Sequence, residues 1–113
     1  MAGEYILSGK ADDDLAEIYI HTHRHFGEAQ ADAYLMGLDA CFRNLADQPA
    51  MGRRVDDLRE GSLRWDYERH AIFYKLQPAG IVVMRVLHGV RNLSFLLHLE
   101  DIETGGSRPG PAR

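Results

Sequence analysis

Arg85, His88 and Arg91 lie close together at the end of the apolar run in "IVVMRVLHGVR", residues 81 to 91. An imidazole flanked by guanidinium groups is the raw material for two kinds of work. One is phosphoryl transfer from a 2'-hydroxyl, which needs a proton acceptor, a proton donor and fixed positive charge around the transition state. Arg53, Arg54 and Arg64 would supply further charge for it. The other is contact, a cationic edge that docks on a partner without chemistry of its own. Arg85 is expected to share a strand face with Val83 and Leu87, either paired with a carboxylate such as Asp66 or Glu68 or presented at a surface. His88, just before Gly89, reads as a histidine tied to local backbone. A second constellation, "HTHRHF", sets His21 and His25 one helical turn apart; two ligands with no third in reach make a solvated helix face, so no metal site is expected.

The elements that must carry these residues follow from periodicity. "EYILS" (4–8) alternates and reads as a strand, and Ser8 is a helix N-cap with Asp12, Asp13 and Asp14 in the turns where the helix dipole favours carboxylates. Ala11, Leu15, Ile18, Tyr19 and Phe26 then trace one helical face. After Gly27, Ala31, Tyr34, Leu35, Leu38, Phe42 and Leu45 trace another, which stops before Gln48-Pro49. The pair forms a helical hairpin. Residues 49–61 read as a loop with at most a short turn of structure. "SLRWDYER" alternates Leu63, Trp65 and Tyr67 with Arg64, Asp66 and Glu68, the pattern of a strand with one wet face. Residues 71–76 and 81–87, joined by "QPAG", complete a three-strand antiparallel meander. The last run is apolar on both faces, so its free side should take the N-terminal strand as neighbour. The expected fold is α+β, in the order β-α-α-β-β-β, a helical hairpin packed on a small antiparallel sheet. Residues 1–102 form one domain with a last short element at 92–102; the glycine- and proline-rich residues 103–113 are expected to be a disordered tail.

Composition narrows the function. The chain of 113 residues suits one core. No apolar run approaches the roughly 18 residues that would span a bilayer, and no signal-like N-terminus is present, so the expected place is the cytoplasm, away from membranes. One cysteine, Cys41, excludes an internal disulfide and reads as a small buried hydrophobe on the second helix. Net charge is -4, divided unevenly: residues 1–52 hold three Lys/Arg against nine Asp/Glu, and residues 53–91 hold eight against five. A protein that lives on nucleic-acid phosphate is usually strongly basic, so specific nucleic-acid binding is not expected.

In sequence order, "A-x3-L-x2-I" at Ala11, Leu15 and Ile18, "FGEAQADAY" (26–34), "LADQPAMGR" (45–53), "HAIFYK" (70–75) and "RVLHGVRN" (85–92) resemble the ParE branch of the ParE/RelE toxin superfamily, across residues 4–97. The resemblance implies a type II toxin held inactive by a ParD-like antitoxin in a hetero-oligomer, with growth arrest and plasmid or chromosome stabilisation as the outcome. Two activities occur in that superfamily. ParE-like members inhibit DNA gyrase; RelE-like members cut messenger RNA on the ribosome, commonly with a late tyrosine or histidine. No tyrosine follows Tyr74 here, and the domain is acidic, which favours gyrase inhibition by binding, with ribosome-dependent cleavage as the alternative. No catalytic residue and no cofactor are then expected. Arg85, His88 and Arg91 become candidate target contacts. Tyr19, Trp65 and Tyr67 become candidate antitoxin contacts.

Overall fold

The computed structural model describes residues 3–56 and 59–89. Strand β1 (Glu4–Leu7) leads directly into helix α1 (Gly9–Phe26) and helix α2 (Glu28–Asp47); a short 3-10 turn at Pro49–Met51 precedes strands β2 (Arg53–Arg54), β3 (Ser62–Tyr67), β4 (His70–Gln77) and β5 (Gly80–His88). Ser8 caps α1, its hydroxyl oxygen accepting from the Ala11 N–H at 3.0 Å. Gly27, at φ 94°, breaks the helical path between α1 and α2, a backbone setting that a side chain would strain. The second helix ends before Pro49, as the proline dictates. The last expected element, at 92–102, and the tail at 103–113 lie outside the described residues.

The strands form one sheet in the order β1-β5-β4-β3-β2. β3, β4 and β5 make the expected antiparallel meander, and β1 takes the free edge of β5. Two features go beyond the expectation. β1 runs parallel to β5, Glu4 opposite Gly80 through Leu7 opposite Val83, so the sheet is mixed. The loop after α2 also contributes β2, whose two residues pair antiparallel with β3; nothing so short carries a period.

The core lies between the hairpin and one face of the sheet. Leu38, Phe42 and Leu45 from α2 meet Ile72 and Tyr74 of β4 and Ile81 and Val83 of β5, all 1% exposed or less. Burying such side chains stabilises the fold by roughly 1.5–3 kcal/mol apiece. Trp65 and Tyr67 are half-buried against this core. Tyr67 packs so closely on α2 that a Cβ at Gly37 would lie 2.0 Å from its hydroxyl. On the other parity of the sheet, Ala71 and Phe73 form a second, smaller cluster with Val55 and Leu87. The guanidinium of Arg64 stands 5.6 Å from the centre of the Phe73 ring. Among the described residues no helix is long and apolar enough to cross a membrane.

Candidate functional site

β5 does not alternate along its whole length. Its pairing with β4 slips between Phe73 and Tyr74, where Tyr74 faces Val83 and Phe73 faces Arg85, leaving Met84 as an extra residue. Val83 and Val86 therefore both join the main core, whereas Leu87 joins the small cluster. The bulge corrects the expectation that Arg85 shares a face with Val83. It also explains the register of the strand end: Gln77 faces Gly80, yet His70 faces His88.

β1 covers β5 only as far as Val83. Beyond that point side chains from the start of α1 take over the edge. The Ser8 hydroxyl donates to the Met84 carbonyl at 2.8 Å, and the Val86 N–H donates to Asp14 Oδ2 at 3.0 Å. Asp14 also receives Arg85 in a two-pronged pair, Nε to Oδ2 at 2.8 Å and Nη2 to Oδ1 at 2.9 Å, with both side chains only 12–13% exposed. The partner of Arg85 is thus Asp14 on α1. Asp66, one of the two carboxylates expected for that role, pairs instead with Arg64 at 2.8 Å.

Above this clamp the two-residue turn Glu68–Arg69 joins β3 to β4, with Glu68 in the left-handed region at φ 52°. The Arg69 carbonyl accepts from the Gly89 N–H at 2.6 Å, which holds the end of β5 against the turn. His70, half-buried, stands edge-on to His88 with ring centres 5.4 Å apart. Tyr34 of α2 lies 2.7 Å from His70 Nδ1. Burial first, then the neighbouring His88, pushes the His70 pKa down to about 4; the Asp14 carboxylate opposes this, while His21 and Arg69 add to it. Burial likewise pushes Tyr34 up to about 12. At neutral pH both groups are therefore uncharged, and the Tyr34 hydroxyl and His70 Nδ1 share this hydrogen bond.

A groove of about 880 Å³ opens here between the upper halves of α1 and α2 and the end of the sheet, and it holds His21, Arg69, His70, Arg85 and His88. His88 is exposed and Arg85 is held in its ion pair. Arg91 lies outside the described residues. The other three candidate contacts are not brought to this groove together. Tyr67 lines it, Trp65 packs on the core, and Tyr19 donates to Asp32 across the hairpin at 2.9 Å. His21 and His25 stack at 4.2 Å, and among the described residues no group of three or more His, Cys, Asp or Glu is placed to hold a metal. Sequence reasoning overlooked Tyr34 and His70. Their signal was faint, one tyrosine in a helical stripe and one histidine at a strand start.

The comparisons with known proteins bear on what this arrangement serves. Residues 5–93 match the family described as "ParE toxin of type II toxin-antitoxin system, parDE". The chain belongs to the ParE toxin family. It is 35% identical over 89 residues to Toxin ParE1 of Mycobacterium tuberculosis, which covers 78% of this chain and 91% of that protein. Toxin ParE1 of Caulobacter vibrioides is 33% identical over 88 residues, with the same coverage. A solved structure described as "Chromosomal ParDE TA system from P. aeruginosa" superposes with a TM-score of 0.67 at 17% identity, covering 78% of this chain and 97% of that one, and so shares the fold.

Proposed function

We propose that this ParE-family protein disables DNA gyrase by binding it in the cytoplasm, carries out no chemistry itself, and is neutralised by a ParD-like antitoxin. The observation that carries this reading is the clamp on Arg85. A ribonuclease needs guanidinium charge free to meet a phosphate and an imidazole able to exchange a proton near neutrality. Arg85 instead spends two of its nitrogens on Asp14, and His70 is kept neutral beneath Tyr34. The groove also presents exposed His88 and Arg69, and Arg91 follows close behind His88 in sequence, a set suited to contact with a protein surface. Tyr19, Trp65 and Tyr67 are the proposed antitoxin contacts, each amphipathic and half-buried, a type that serves interfaces well.

Purified protein added to gyrase should inhibit supercoiling or accumulate cleaved DNA, and the antitoxin should reverse the effect. Unaltered gyrase at toxin excess would overturn the reading. Cuts in translated message at the ribosomal A site, lost in a His88→Ala variant, would establish the ribonuclease alternative in its place.

A further inference from the structure

The sheet guards its edges unequally. An edge strand offers unpaired N–H and C=O groups to any passing chain, and proteins commonly blunt that hazard with charge or a covering group. Among the described residues β2, at one edge, consists of exposed Arg53 and Arg54, and β3 runs on past it with exposed Asp66. On the other side β5 is blocked above Val83, where the Ser8 hydroxyl takes the Met84 carbonyl and Asp14 takes the Val86 N–H. Below that point the edge is β1, and among the described residues nothing comparable guards it. Its ladder shows what it offers. The Glu4 N–H donates to the Ala79 carbonyl and the Ser8 N–H to the Val83 carbonyl, each at 2.9 Å, so Glu4, Ile6 and Ser8 turn their main-chain groups to β5 while Tyr5 and Leu7 turn theirs outward. The Tyr5 and Leu7 side chains pack on the main core, and Ile6 projects from the opposite face, 52% exposed. Glu4 and Lys10 stand exposed at and just beyond the two ends of the strand, and no ion pair among the described residues uses either.

We propose that a second copy of this chain pairs with the outer edge of β1, antiparallel about a two-fold axis at Ile6. The strand is complementary to itself in that arrangement. Tyr5 of each copy exchanges both main-chain hydrogen bonds with Leu7 of the other, and the two Ile6 side chains meet on the face away from the helices, where each covers the other. Charge matches as well. Reversing the strand brings Glu4 of one copy to the end where the other carries Lys10, so opposite signs meet at both ends of the seam. The pairing joins the two five-stranded sheets into one. Because β1 runs parallel to β5, it also sends the two His88 rims to opposite ends of that sheet. This association does not depend on which target the toxin engages.

Sedimentation of the full chain across a range of concentrations tests it and should show a monomer–dimer equilibrium. Ile6→Lys sets like charges against each other across the axis and should raise the dissociation constant at least about tenfold. Glu4→Lys should weaken the dimer, and Glu4→Lys with Lys10→Glu should restore it, a rescue that a general loss of packing would not show. In a Cys41→Ser background, Ile6→Cys should crosslink two copies at least about tenfold faster than Ile20→Cys, because directly opposed residues of this kind stand about 4.5 Å apart at Cα, within disulfide reach. Ile20 is as exposed, at 53%, but lies on α1. A monomer at every concentration would overturn the proposal, as would a dimer indifferent to Ile6→Lys or equal crosslinking rates. If the variants at Ile6 do not fold, the exchange of Glu4 and Lys10 decides alone. Protection of the Leu7 amide that appears only on adding a different protein would overturn it in favour of that protein as the strand's neighbour.

Discussion

Asp14 and Arg85 lie 71 residues apart in sequence and meet through two parallel hydrogen bonds, 2.8 and 2.9 Å long, where β5 has lost its neighbouring strand. The same carboxylate serves the Val86 N–H. Removing it takes the two-pronged partner from a mostly buried cation and the acceptor from a backbone donor, and loss of one partner of such a pair costs about 3 kcal/mol or more. Asp14→Ala should therefore lower the denaturant midpoint sharply, whereas Asp14→Ala with Arg85→Leu should recover much of the loss. A double-mutant cycle with coupling near zero would show that the clamp contributes nothing.

His70 makes stability depend on pH. Its folded pKa, about 4, lies below the ordinary value of 6.5, so between those limits the unfolded chain binds the extra proton. Stability is then full above about pH 6.5, falls as the pH drops, and levels off below about pH 4. Partial exposure of the ring discounts the effect to roughly 1–2 kcal/mol. Denaturation curves at pH 7 and pH 4.5 should differ by that amount more in the unaltered chain than in His70→Gln.

Tyr74 joins the sheet to the segment after α2. Its hydroxyl donates to the Pro49 carbonyl at 2.6 Å and accepts from the Gly52 N–H at 3.0 Å, the second bond buried and the first partly so. Tyr74→Phe keeps the ring and leaves two polar backbone groups without their partner, a cost of about 1–3 kcal/mol. The expected signature is local: faster amide exchange at Gly52 than the drop in global stability accounts for.

Gly80 opens β5 beneath β1, and a Cβ there would lie 1.9 Å from the Glu4 carbonyl oxygen. That neighbour is backbone and cannot swing away. Gly80→Ala should push β1 off the sheet edge at roughly 2 kcal/mol or more, read as lost exchange protection at Ile6.

Under the proposed function, a negative charge at exposed His88 should act on the target and leave folding alone. His88→Asp should weaken gyrase inhibition at least about tenfold with a melting temperature nearly unchanged, and adding Arg91→Asp should weaken inhibition further. Arg85→Ala, by contrast, should lose stability first. If the rim variants inhibit as strongly as the parent, the target contacts lie elsewhere.

Much of the fold was legible because its signals are local. The Ser8 cap, the apolar stripe ending in Leu45, the alternation of Leu63, Trp65 and Tyr67, and the turn at Pro78 each declare themselves within a few residues. The site was less legible, because its decisive contacts span the chain. Asp14 is one of three consecutive aspartates, and its neighbours Asp12 and Asp13 are exposed as a helix N-terminus leads one to expect. Only the third dimension singles it out for Arg85. The bulge at Met84 misled in another way: strict alternation placed Arg85 with Val83, and one extra residue reversed the parity of everything after it. His70 and Tyr34 come together because the hairpin folds back over the sheet end, which no spacing along the chain announces.

Glu4–Leu7 pairs with Gly80–Val83, so among the described residues the first strand waits for the last one to complete its ladder. A growing polypeptide can form the α1–α2 pair early, but its N-terminal strand has no neighbour until β5 has emerged. Whatever surface the hairpin and β5 build together thus comes into existence only once translation of the matched region is finished, a built-in delay between making the protein and arming it.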